Sequence, residues 1–252
     1  MNRIFITLSL VIICGSIAFG QKWTPEIICS TDTLIIEPYR SIKYDPIEDD
    51  SLYQKPYKVV QCKTRTNLGF RIEFAISKYY YGNKTQEWIG QHGGPNFNFA
   101  LVFDKFNFGF RFKPWTFTPK KEIMFNGQTL PTTAQVNTIK LDYYLGYSID
   151  FNKLVSVEPY VGYNRSSFIV INETELNKNF NINKTGGIII GTTFNKYIKL
   201  KGYEYLSFIA TIGYAFVKYE KVHYEFDKGY LEWNLGIAIK GFLPKRYNKK
   251  IK

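Results

Sequence analysis

The chain has 252 residues, 45% hydrophobic and 18% aromatic, with 20 Tyr and 21 Phe. Its mean hydropathy is nevertheless negative. That excludes a helical membrane protein but leaves enough apolar material to fold, and Tyr and Phe favour pleated, half-buried surfaces. The formal net charge is +12. A nucleic-acid reader gathers such charge into a patch; here Lys and Arg are dispersed with acids beside them, so no nucleic acid is expected as a partner.

Residues 1–20 read as a secretory signal peptide. Asn2-Arg3 give a short positive start and Ile4 to Ile13 an apolar run too short to span as a helix. Ala18-Phe19-Gly20 places small residues at a cleavage position ahead of Gln21. Lipidation at Cys14 is the weaker alternative, because Ile13 is not small. No later apolar run reaches the ~18 residues of a helical span. Export leaves Cys29 and Cys62, which either pair in an oxidising compartment or stand as two separate buried thiols.

Residues 21–66 read as an N-terminal extension. They carry Pro25, Pro38, Pro46 and Pro56, the acidic cluster Glu48-Asp49-Asp50, and one or two short strands such as Thr33 to Glu37. From Leu68 the pattern becomes strict two-residue alternation, the mark of strands with two unlike faces. Eight such segments follow: Leu68 to Ser77, Phe97 to Phe103, Phe106 to Lys113, Ile139 to Ile149, Val155 to Asn164, Gly187 to Asn195, Leu206 to Phe216 and Leu231 to Lys240. Tight turns at Asp104-Lys105, Asn152-Lys153 and Lys201-Gly202 alternate with longer loops near 82–95, 114–135, 172–184 and 221–228.

One strand face is almost uniformly large and apolar; the other mixes small residues with charges of both signs, including Lys113 and Lys240. A soluble sandwich or barrel hides its apolar face. An eight-stranded barrel has an interior just wide enough for side chains, so the small, charged face fits inside and the bulky face meets lipid. The expected fold is all-β: an eight-stranded antiparallel up-and-down transmembrane β-barrel over 67–243, after the 21–66 extension and before a basic periplasmic tail, 244–252. Arg71, Glu73, Arg111, Lys140, Asp142, Glu158 and Glu232 form its expected lumen charge network. Pro159 is a blemish in a strand, since it removes a ladder donor.

The hairpin LDYYLGYSIDFNKLVSVEPYVGYN and the closing segment GYLEWNLGIAIKGF resemble small bacterial outer-membrane β-barrel proteins, the porin-like superfamily of eight-stranded barrels. The resemblance is one of pattern and covers roughly 68–243. It implies both chain ends in the periplasm of a Gram-negative envelope, long loops outside, and outer-membrane lipids and the barrel-insertion machinery as partners. One departure stands out. The family's last strand ends on an aromatic residue, whereas Phe242 is followed by Leu243 to Lys252 and falls on the Glu232 face if alternation runs unbroken.

Chemistry is sparse. His92, beside Gln91, Gly93 and Gly94, and His223, near Tyr224, Glu225 and Asp227, fall in predicted outside loops and read as exposed. Some barrels of this kind modify lipids with a His and a Ser at the outer rim, but no Ser lies in the His223 loop. No metal-ligand spacing or phosphate loop occurs, so no cofactor and no metal are expected. The Asn-x-Ser/Thr matches at Asn83, Asn164, Asn172 and Asn183 are uninformative. The expected function is a structural or binding barrel, not an enzyme and monomeric, with a closed lumen and loops that carry any extracellular ligand. A narrow channel lined by Arg71, Arg111 and Lys140, a lipid-modifying enzyme and a secreted soluble β domain are the alternatives.

Overall fold

The computed structural model of the chain describes residues 27–36, 57–125, 128–152, 154–170, 181–200, 202–221 and 223–250. The predicted signal-peptide segment, Cys14, the acidic cluster at 48–50 and most of the predicted 172–184 loop lie outside them. In chain order the elements are β1 (Ile27–Ile36), β2 (Tyr57–Tyr81), a short helix α1 (Asn83–Ile89), β3 (His92–Phe103), β4 (Phe106–Phe117), β5 (Ile123–Phe125), β6 (Gln128–Leu130), β7 (Val136–Tyr147), β8 (Ile149–Asp150), β9 (Val155–Val170), β10 (Asn181–Lys199), β11 (Glu204–Val217), a 3₁₀ turn (Tyr219–Lys221) and β12 (Tyr230–Lys250).

Eight of these strands close on themselves in the order β2-β12-β11-β10-β9-β7-β4-β3, and β3 returns to β2. Each of the eight contains one alternating segment of the sequence, and all pairings are antiparallel. Closure pairs every strand on both edges, which a hydrocarbon surround demands. Burial follows the alternation: along β11 it switches residue by residue. Ile72, Phe74, Ile76, Phe99, Leu101, Phe208 and Ile237 are exposed, whereas Arg71, Glu73, Lys113 and Asp142 are buried. Neighbouring outward rings touch, as Phe74 with Phe97 (5.3 Å) and Phe110 with Tyr143 (5.3 Å).

Pro159 sits where the sheet tolerates it. The β7–β9 ladder ends at Gly146↔Tyr160 and the β8–β9 ladder resumes at Ile149↔Val157, so Pro159 faces the lapse between them.

The ends of the chain depart from the expected plan. Residues 244–250 do not form a free tail: β12 continues through them, pairing Pro244↔Arg65 to Lys250↔Val59 after a register shift next to Phe242. β1 joins the same β2 segment from the other side, from Ile27↔Thr64 to Ile36↔Tyr57. The described parts of the extension, 27–36 and 57–66, therefore join residues 244–250 in a three-stranded blade, β1-β2-β12, growing out of the barrel seam at the end that carries the tight turns. Cys29 and Cys62 face each other in its register and form a disulfide.

Candidate functional site

The lumen is the most organised polar site of the fold, because alternation from eight strands sends their small and charged residues inward. At the turn end, Phe242 packs with Tyr197, Tyr203, Tyr205 and Val102. Register runs unbroken from Tyr230 to Phe242, so its ring points into the barrel rather than outward. The Arg65 guanidinium lies 3.5 Å over that ring. Below it, Arg65, Asp104, Lys105, Asp150 and Lys240 help line an open cleft of about 220 Å³.

At mid-height Arg71 donates to Glu158 at 2.6 and 3.1 Å and approaches Glu73 at 3.7 Å. Asn98 donates to Glu73 at 2.8 Å and to the Tyr144 hydroxyl at 2.8 Å. The Arg111 guanidinium is held between the rings of Tyr144 and Tyr160, 4.2 Å from each centroid. Glycines make room for these rings: a Cβ on Gly109 would stand 2.1 Å from Tyr144, and one on Gly213 2.4 Å from the Tyr160 hydroxyl.

Above this level Lys113 bonds the carboxylates of Asp142 and Glu232, the latter at 2.6 and 2.7 Å. Asn164 supports Asp142 at 2.5 Å and Asn234 supports Glu232 at 2.9 Å. Lys140 donates to the Tyr81 hydroxyl at 2.9 Å and sits 3.7 Å from the ring centroids of both Tyr79 and Tyr230.

A rule of charge emerges. Arg71 and Lys113 each engage two carboxylates, whereas Arg111 and Lys140 lie against aromatic faces. These four acids and four bases thus balance through two over-neutralised cations and two held by ring quadrupoles, while a fifth buried base, Lys240, lies near the Tyr197 and Phe242 rings at the turn end.

The loop end holds an aromatic cluster. Tyr79, Tyr81, Trp115, Phe117, Phe168, Tyr219 and Tyr230 form one buried cluster, topped by Ile89 of α1 and by Ile123 and Leu130 of the β5–β6 hairpin. α1 is tied to the neighbouring loop at the β2–β12 seam: the Thr85 backbone N–H donates to the Asp227 carboxylate at 2.9 Å, and the Asp227 N–H returns a bond to the Thr85 hydroxyl at 2.7 Å. The histidines are not exposed loop residues. His92 opens β3 and stacks on Trp115 at 4.5 Å. His223 is 7% exposed, packed against Trp88 at 4.5 Å and Tyr224 at 4.7 Å. Burial lowers the His223 pKa below its ordinary 6.5, against a smaller opposing pull from Glu225.

All seven residues of the expected charge network lie in this lumen, but not as one network: Arg71, Glu73 and Glu158 form one ion-paired cluster, Asp142 and Glu232 belong to a second, and Arg111 and Lys140 lie against aromatic rings. Lys113 is the base that joins the second cluster, and its place on the charged strand face was the available signal. The tyrosine contacts to Arg111 and Lys140 had a weaker one. Tyr144 and Tyr160 fall on the inward face by alternation, but nothing local says that their rings meet a cation. Among the described residues no group of His, Cys, Asp and Glu is arranged to hold a metal.

No protein-family model matches the chain, and no curated protein does. Similar solved structures include Neisserial surface protein A (12% identity, 71% of this chain and 98% of that one, TM-score 0.40). OprG of Pseudomonas aeruginosa (11%, 70% and 96%, TM-score 0.45) and Ail of Yersinia pestis (10%, 71% and 97%, TM-score 0.39) are also similar. These are small outer-membrane β-barrels, and the closed eight-stranded antiparallel barrel is the architecture this chain has.

Proposed function

We propose that the chain is a bacterial outer-membrane β-barrel protein with a closed lumen and a structural or binding role, acting outside the lumen through its ends. One observation carries the reading. The outward rows of the barrel strands are predominantly bulky, apolar and exposed, while the ion-paired charges lie inside. A soluble barrel inverts that arrangement, and a lipid-facing one requires it. In this reading the tight turns and the blade face the periplasm, the signal peptide is removed, and the protein works as a monomer. Because Phe242 points inward, the insertion machinery must recognise outward residues of β12 such as Ile237 and Ile239 instead.

The aromatic clusters at both ends and the bonded charges between them favour a packed interior over a channel. The surroundings of His223 give the lipid-modifying reading little support: its Nδ1 accepts from the Glu225 N–H at 3.3 Å, and its neighbours are rings. The decisive experiment combines outer-membrane fractionation with planar-bilayer recording of refolded protein. Co-fractionation, altered gel mobility on boiling and no stable conductance are expected. A soluble, heat-insensitive protein overturns the membrane reading, and steady conductance overturns the closed lumen.

A further inference from the structure

The blade is the one large feature that the barrel reading does not use. Strands need roughly 9–11 residues to cross a bilayer, yet β2 has 25 and β12 has 21. Their surplus forms the β1-β2-β12 sheet, and its charge is one-sided. Lys58, Lys63, Lys245, Arg246 and Lys249 are exposed on it. Among its described residues, in 27–36, 57–67 and 243–250, the single acid is Asp32. Moreover, Lys63 stands directly opposite Arg246 across the β2–β12 ladder, with Ile28 on the third strand. Like charges in directly opposed positions weaken a sheet. Among the described residues no ion pair is formed with either base, and a like-charged pair so placed points to an anion supplied from outside.

Reach identifies which one. From Leu243, the last exposed apolar residue of β12, to Lys249 is six residues, or about 20 Å of strand. Screening confines headgroup attraction to about 8 Å at physiological salt. Lipid therefore serves only the nearest cations, and Lys249 and Lys58 need a partner deeper in the periplasm. Both faces of the blade are basic: Lys63 and Arg246 lie on one, Lys58, Lys245 and Lys249 on the other. A flexible polyanion can follow such a surface.

We infer that the blade binds an extended carboxylate-bearing glycan polymer, the chemistry of a peptidoglycan layer, and so tethers the barrel to it. This rests on the outer-membrane reading for the blade's placement.

The test is co-sedimentation of the full-length protein, refolded in neutral detergent, with purified peptidoglycan sacculi. Heat-dependent gel mobility is followed in parallel. Binding that weakens steeply between 50 and 300 mM salt is expected, together with at least a tenfold loss in K63E/R246E, on the order of what two reversed surface charges produce. The conservative K63R/R246K variant should bind as the parent does. Absence of co-sedimentation by a heat-modifiable parent protein overturns the tether and leaves the barrel reading intact, whereas loss of heat-modifiability speaks against the barrel itself. Undiminished binding by a folded K63E/R246E also overturns the inference. Equal binding to anionic phosphatidylglycerol vesicles or to duplex DNA overturns the assignment to a carboxylate polymer.

Discussion

Arg71 and Tyr144 meet at 2.7 Å, the phenol oxygen accepting from the guanidinium, while the same ring presents its face to Arg111 at 4.2 Å. One tyrosine thereby couples the two lumen arginines, and it fits only because Gly109 leaves the space. Gly109→Ala should displace the ring and cost about 1–3 kcal/mol. Urea titration of the refolded protein measures it. In a Tyr144→Ala background the same change should cost much less, a coupling that a double-mutant cycle reads directly.

The two kinds of lumen cation should respond differently to removal. Lys113→Met leaves Asp142 and Glu232 buried without their shared base, so a loss of about 3–5 kcal/mol is expected. Lys140→Met exchanges ring contacts and one hydrogen bond for apolar packing, so at most about 2 kcal/mol is expected. Equal losses at both positions would contradict the division of charge described above.

Which face meets lipid is testable at one residue. Phe208 is 52% exposed on the outward row of β11, among Leu206, Ile212 and Phe216. Phe208→Arg should destabilise the protein in bilayers by about 2–4 kcal/mol. In a soluble barrel a substitution at so exposed a site would be nearly neutral. Folding yield into vesicles, followed by gel mobility, separates the two.

The Cys29–Cys62 disulfide ties β1 to β2 outside the barrel, where β3 no longer serves that edge of β2. Reduction, or Cys62→Ala, should release β1 to limited proteolysis and leave the heat-dependent mobility shift unchanged. Collapse of the barrel on reduction would show that the two parts are not separable.

His223 sets a pH dependence at the loop end. Its pKa is lowered in the folded protein, so the folded form binds fewer protons than an unfolded chain near pH 6. The packed arrangement is therefore favoured above the ordinary histidine value of 6.5 and weakened as pH falls through the lowered one. Trp88 packs against this ring, tilted at 43°, so its fluorescence should change with a midpoint below 6.5. His223→Phe should abolish that transition.

The eight strands were legible because a period of two is a local property, and the inward face of each could be read from the residues alone. Height along the barrel could not. Whether Lys113 meets Asp142 or Glu73 depends on the stagger between strands, which alternation leaves undetermined. For the same reason the Arg111 site between Tyr144 and Tyr160 was hidden, although all three residues fall on the inward face. The blade was missed because Pro244 and the run of bases after it lack apolar alternation; their partners on β2 decide their conformation. Burial of His223 was hidden too, since α1 comes to it from a loop more than a hundred residues earlier.

The seam between β2 and β12 is zipped well past the barrel wall, from Tyr81↔Tyr230 to Val59↔Lys250. Joining these strands closes a loop of nearly the whole described chain, the most entropically demanding step of barrel formation, though that cost grows only slowly with length. Once the blade is paired, the last wall contacts form between segments already held side by side. The surplus strand length thus carries that remote closure past the wall, so the seam is held by the pairs out to Val59↔Lys250 as well as by those of the barrel itself.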